Sequence, residues 1–356
     1  MFRVVLAAVL LAASAACQQA GGSVEAPAGA APAAPADAPL WLSLPGGPGP
    51  GAGKHVVLVA GDEEYRSEEA LPQLARILSA HHGFRCTVLF STNPDDGTID
   101  PDARGNIPGL HLLDGADLLI LFTRFRRLPD ADMQHIADWV EGGKPLIGIR
   151  TATHAFAYPA GERSAYANWS WDSTVEPGGF GRRVLGETWV AHHGHHGSES
   201  TRGVVPEAAR AHAVVRGVRD VWGPTDVYAV GRLPDDAVVL VEGEVLDGMT
   251  PDSAPVADGR NAPRMPIAWA REIETGYGDP QRVACSTIGA AVDLRSEGVR
   301  RVLVNAAYWC TGLAAAIAEK SEVGIVGEFE PTMFGFGGAR KGVRVGDLDK
   351  DGTANN

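Results

Sequence analysis

Four short apolar runs, separated by segments of helical period, limit the folds open to this 356-residue chain more than any other feature. They read "KHVVLVAG" over 54–61, "RCTVLFS" over 85–91, "GADLLILFTRF" over 115–125 and "PLIGIRTATHAF" over 145–156. Continuous apolarity, rather than alternation, marks strands covered on both faces. Between the first two, Leu71, Leu74, Ile77 and Leu78 fall on one side of a helix, with Ser67 as its N-cap and Gly83 as its stop. Between the last two, Met133, Ile136, Ala137 and Val140 form a second stripe. Strand–helix alternation of this kind predicts an α/β fold with a doubly wound, mostly parallel sheet in a flavodoxin-like three-layer sandwich. Ligands of such sheets collect at the carboxyl ends of the strands. Further strands are expected over 235–243, 265–272 and 281–289, and a late helix over 298–313.

Both ends of the chain read differently. Residues 1–17 have one early arginine, an apolar run and small residues up to a cysteine, which predicts a signal peptide of lipoprotein type with Cys17 as the lipidation site. The expected location is therefore exported, periplasmic or outer-surface, with the membrane touched only through the lipid anchor. Residues 18–52 are rich in Ala, Pro and Gly and are expected to form a disordered linker, although Trp41 and Leu42 could dock onto the body. The folded domain is expected over 53–345, with a polar tail over 346–356. In that tail "DLDKDG" resembles the start of a calcium loop, but the bidentate Glu such a loop requires is missing. A net charge of −13 without a basic stripe argues against a nucleic-acid partner. Cys86, Cys285 and Cys310 stand apart in apolar surroundings, which favours free buried thiols over a disulfide.

The stretch 139–156, within "DWVEGGKPLIGIRTATHAF", resembles the ThuA-like (trehalose-utilisation) family, whose fold is class I glutamine amidotransferase-like. "EEYRSEEALP", "LGETWVAHH" and "AHAVVRGVRDVWGPTDVYAV" resemble other family segments in the same order, so the likeness spans roughly 54–310. "GPTDVY", "VLDGM" and "FGFGGARKGV" resemble a branch common in planctomycete-type bacteria. The chain also departs from the pattern. The turn after the fourth strand reads Gly148-Ile149-Arg150-Thr151-Ala152, where an amidotransferase carries its nucleophilic cysteine, so glutamine hydrolysis by a thiolate is excluded. Relative to the ThuA-like pattern, Arg150 replaces a His, His154 an Asp and Ser67 a His.

"WVAHHGHHGSE" over 189–199 holds four of the eleven histidines. Histidines this closely spaced in a loop can share a divalent transition metal such as zinc, nickel or iron, and His192, His193 and His195 are the expected ligands. The alternative is a polar loop whose imidazoles hydrogen-bond to backbone or substrate. The expected catalytic groups are His154, His192 and Asp226, and the expected substrate-binding residues are Asp62, Glu64, Arg150, Thr151, Trp189 and Tyr228. Arg150 could instead pair with Asp62, Glu63 or Glu64, and His212 reads best as a structural cap. Trp169, Trp171, Trp189 and Trp222 offer flat apolar faces of the kind that stack on sugar rings. The resemblance implies carbohydrate catabolism, with a disaccharide or keto-glycoside as the small-molecule partner. A non-catalytic carbohydrate-binding or accessory protein is the rival reading, and a structural partner in a surface assembly a third.

Overall fold

The computed structural model describes residues 39–276 and 278–348. The expected signal segment with Cys17, residues 18–38 of the expected linker and 349–356 of the expected tail lie outside the described residues. In chain order the strands are β1 (Trp41–Leu44), β2 (His55–Gly61), β3 (Arg85–Phe90), β4 (Leu118–Thr123), β5 (Leu146–Ile149) and β6 (Ala191–His192). They continue with β7 (Ser200–Val204), β8 (Trp222–Gly223), β9 (Tyr228–Ala229), β10 (Ala237–Leu246), β11 (Met265–Ile273) and β12 (Gln281–Ser286). The longer helices are α1 (Ser67–His82), α2 (Asp130–Glu141) and α3 (Glu297–Cys310).

Ten strands form one sheet in the order β1-β3-β2-β4-β5-β12-β11-β10-β7-β8. The five strands β3, β2, β4, β5 and β12 run parallel. Antiparallel strands extend this parallel centre on both sides, β1 at one edge and β11, β10, β7 and β8 at the other. Every residue of β2 and β4 is buried, which is why their sequences carry no polar alternation. Val56 and Leu58 pack on one face with Leu71, Leu74 and Leu78 of α1 and Val304 of α3. Val57 and Val59 pack on the other with Met133, Ile136 and Trp139 of α2. Helices therefore cover both faces, and each fully buried Val or Leu contributes about 1.5–3 kcal/mol.

Local expectations hold at some points and fail at others. Gly83 ends α1 in the left-handed region, φ 80°, with its N–H on the Ser79 carbonyl and the following Phe84 N–H on the Leu78 carbonyl. Ser67 does not cap that helix. Arg66 occupies the capping position at φ 60°, and the Ser67 hydroxyl instead accepts the Asp62 N–H at 2.9 Å, closing the loop back on β2. The expected linker ends earlier than residue 52, because Trp41–Leu44 pairs with β3 and buries Leu42. An alternating tetrapeptide next to an unpaired strand edge gains both ladder bonds and apolar burial, and this outweighs the cost of ordering it. At the other end the body continues through a turn at Val345–Leu348, where Val345 is buried and the Leu348 carbonyl accepts from Arg76. Cys86, Cys285 and Cys310 are buried and unpaired. No helix among the described residues is long and apolar enough to cross a membrane.

Candidate functional site

The loops leaving β2, β4, β5 and β12 converge at the carboxyl edge of the parallel strands. Arg150, the first residue after β5, sits at φ 48°. A left-handed non-glycine residue costs about 1–3 kcal/mol and persists only where its surroundings fix it. The sharp turn expected after the fourth parallel strand is therefore present. Arg150 is fully buried, and its guanidinium carbon lies 3.9 Å from the centroid of the Tyr228 ring and 4.3 Å from that of Tyr65. It donates to the Asp226 carboxylate and the Asp226 carbonyl, each at 2.9 Å, and to the Thr287 carbonyl. Its ion-pair partner is thus Asp226, not Asp62, Glu63 or Glu64. Those three acids are engaged elsewhere: Asp62 accepts from Glu64 N–H, Tyr65 N–H and the Thr151 hydroxyl. Glu63 is shared by Arg104, Arg124 and Arg126, and Glu64 faces Arg124 and His196.

Asp226 is the hub. One carboxylate oxygen accepts from Arg150 and from His196 Nδ1 at 3.1 Å; the other faces His192 Nδ1 at 2.7 Å. Burial by itself would raise its pKa. The hydrogen bonds from His192 and His196 and the charge of Arg150 outweigh burial and hold the carboxyl well below its usual range. Asp293 steadies the same loop by accepting from the Thr225 hydroxyl at 2.8 Å and the N–H groups of Gly289 and Ala290 at 2.9 Å. The His192 side chain is 38% exposed whereas the Asp226 side chain is fully buried. His192 is thus anchored through Nδ1 and keeps Nε2 for other partners. His196 lies with its ring centroid 5.0 Å from that of His192 and its Nε2 3.4 Å from the Glu64 carboxylate. Burial raises the Glu64 pKa, with Arg124 opposing.

His154 is buried beside Phe125, Trp189 and Tyr228, with ring centroids 5.1, 5.8 and 6.3 Å away. Burial, then the charges of Arg124, Arg150 and His192, push its pKa well below the usual histidine value, so its imidazole is neutral at pH 7. Trp171 and Trp189 stand edge to face at 5.8 Å and wall the same region. Trp169 is core, stacked on Phe180, and Trp222 belongs to the far β7–β8 edge. His212 caps the turn Ala213–Val215 by accepting the Val214 N–H at 3.2 Å.

Several expected site residues are not brought together. Pairing of β6 with β9 sets His192 opposite Tyr228, and His193 reaches the Arg260 carbonyl at 2.9 Å instead. His195 is 75% exposed and pairs with Glu199 at 3.2 Å. The trio His192, His193 and His195 is therefore replaced by His192, His196 and Asp226, whose donor atoms lie within 4.8 Å of one another; no other such group occurs among the described residues. Two imidazoles and a carboxylate suit zinc or iron. Arg150 opposes a further cation there, because its guanidinium already rests on the same carboxylate. Asp62 and Thr151 are buried and bonded to each other, so they hold the floor of the site rather than present groups to a ligand. Tyr65, Phe125, His196, Asp293 and Phe334, whose ring centroid lies 5.1 Å from that of His196, are site residues that the sequence does not single out. Only the four-residue spacing of His192 and His196 offered a signal.

No protein-family model matches the chain, and no curated protein does. Among solved structures, a provisionally assigned ThuA-like protein from Bacteroides uniformis ATCC 8492 is 14% identical, with a TM-score of 0.46 over 75% of this chain and 94% of its own. A second provisionally assigned ThuA-like protein, from Parabacteroides merdae ATCC 43184, is 12% identical, with a TM-score of 0.44 over 72% of this chain and 90% of its own. The N-terminal domain of mmIFT52 is 13% identical, with a TM-score of 0.37 over 72% of this chain and 97% of its own. All three scores fall below 0.5, and the α/β assignment rests on this chain's own strands and helices.

Proposed function

We propose that this protein is an enzyme of general acid–base type acting on a carbohydrate, built on a class I amidotransferase-like sheet without the covalent thiol step. The observation that carries the reading is the 2.7 Å contact between exposed His192 and buried Asp226, itself pinned by Arg150. A carboxylate on Nδ1 sets the imidazole's tautomer and orientation and stabilises the imidazolium, which leaves Nε2 to exchange a proton with a substrate hydroxyl or carbonyl. His154, neutral and walled by aromatics, can donate or accept a hydrogen bond without adding charge. The carbohydrate assignment draws on the sequence resemblance and on the Trp171–Trp189 wall, whose flat faces suit sugar rings. A product screen over disaccharides and keto-glycosides tests it, with His192→Gln beside the wild type. The expected result is turnover that falls about 10²–10⁴-fold in the variant. Sugar binding without turnover in the wild type, unchanged by His192→Gln, would make this a carbohydrate-binding protein instead.

A second reading is favoured by the closeness of the His192, His196 and Asp226 donor atoms. Those three residues would hold zinc, nickel or iron, and the metal would supply polarisation of a carbonyl or activation of water. Metal content by mass spectrometry, after Zn²⁺, Ni²⁺ and Fe²⁺ have each been offered, decides between the two. About one equivalent that is lost in His196→Ala supports the metal, and none overturns it.

A further inference from the structure

Beside Phe125 lies a hollow of about 740 Å³, lined among others by Arg104, Arg127, Asp130, Glu162 and Arg163. That is the volume of a small-molecule site, and it opens at the carboxyl edges of β4 and β5, as the candidate site does. Two carboxylates also belong to this lining. Asp130 accepts the Ser164 hydroxyl at 2.6 Å and the Ala165 N–H at 3.1 Å, and Glu162 pairs with Arg127 at 2.7 Å. Glu63, just beneath, is shared by three guanidiniums: Arg104 at 3.1 Å, Arg124 at 2.6 Å and Arg126 at 2.8 Å. One carboxylate cannot neutralise three cations, and Glu64 adds only a longer contact to Arg124 at 3.5 Å. Arg163 is exposed and makes no ion pair among the described residues, and the Arg104 side chain is 51% exposed. In a chain of net charge −13, the five guanidiniums of Arg104, Arg124, Arg126, Arg127 and Arg163 stand here against the four carboxylates of Glu63, Glu64, Asp130 and Glu162, so this corner carries one more cation than anion.

Phe125 joins the hollow to the candidate site. Its backbone stands at φ 51°, a costly conformation for a bulky residue, and its N–H is tied to the His154 carbonyl at 2.9 Å. Held this way, the ring contacts His154 and Trp171 while the guanidiniums of Arg124 and Arg104 lie 4.3 and 5.9 Å from its centroid. We infer that the hollow is an anion-accepting subsite and that the substrate is an anionic sugar. Its carboxylate, phosphate or sulfate sits among Arg104, Arg127 and Arg163, and its hydroxyl-bearing part passes Phe125 toward His192. This rests on the acid–base reading only for what happens at the far end; the binding step stands apart from it.

The test is calorimetric titration of the full chain with D-glucuronate, D-glucose, inorganic phosphate and inorganic sulfate. The proteins compared are the wild type, the Arg104→Ala, Arg163→Ala double variant and His192→Gln. Both arginines are exposed enough for the double variant to fold. Glucuronate is expected to bind at least about tenfold more tightly than glucose, more weakly as salt rises, and about tenfold more weakly to the double variant. Phosphate or sulfate that competes with glucuronate shows a subsite open to oxyanions in general, whereas glucuronate binding without such competition shows one confined to carboxylates; either result supports the subsite. Equal binding of glucuronate and glucose, or binding untouched by the double variant, overturns it. His192→Gln should keep the anion binding, so loss of turnover in that variant speaks to the acid–base reading alone.

Discussion

Replacing Arg150 with methionine tests the claim that a buried ion pair organises the site. Methionine keeps an unbranched stem between Tyr65 and Tyr228 and the same backbone strain at φ 48°, so the change is confined to the guanidinium. The variant loses donors to the Asp226 carboxylate and to the carbonyls of Asp226 and Thr287. Asp226 is left buried with two imidazoles as its remaining side-chain partners. Removing one member of a buried pair costs about 3–5 kcal/mol, because the other charge stays behind without compensation. The ring contacts would add about 0.5–2 kcal/mol each, of which the thioether recovers part. A net loss of about 4 kcal/mol is expected from urea unfolding at pH 7, read from the midpoint at unchanged slope. Asp226→Asn should cost a comparable amount, and the double variant should fall short of the sum by about 1.5–3 kcal/mol, since both changes break one interaction. A loss under about 1 kcal/mol for Arg150→Met, or strictly additive single effects, would refute the reasoning.

Asp226 also sets an acid limit. Its folded-state pKa lies below the unfolded value of about 3.9, so its contribution is present above that pH and is lost as pH falls further. The stability gap between wild type and Asp226→Asn should shrink below about pH 4, as acid-titrated unfolding would show. Glu68 behaves in the opposite sense. Both its carboxylate oxygens are closed off without a partner, and burial pushes its pKa up to about 8. Its neutral form is favoured by folding, so stability present below about pH 4.3 is lost as pH rises toward about 8. Glu68→Gln should gain on the wild type by at least about 1–2 kcal/mol between pH 5 and pH 8.5, and a pH-independent difference would count against this. At Gly148 an added Cβ would lie 2.7 and 2.8 Å from the Leu185 methyls, so Gly148→Ala should lower stability by about 1–3 kcal/mol in a thermal melt.

The parallel centre of the sheet was legible in the sequence because a doubly covered strand must be apolar throughout, and β2 and β4 are. Gly83 announced the end of α1 because few other residues tolerate its left-handed conformation. These are local requirements that a residue meets wherever the chain goes next. The edge strand β1 is different: an Ala- and Pro-rich context argued for a tether, and the unpaired edge of β3 decided otherwise. The site depended still more on distance. Asp226 lies 76 positions from Arg150 and 34 from His192, and neither partner is implied by neighbouring residues. The histidine run promised imidazole in quantity, but its ladder with Tyr228 chose the members. His192 and His196 face the buried carboxylate, while His193 turns to the Arg260 carbonyl and His195 to Glu199. Periodicity and backbone preference act within a few residues and can be read in one dimension. Which charge meets which depends on where separate loops are brought together at the strand ends, and only the tertiary structure specifies that.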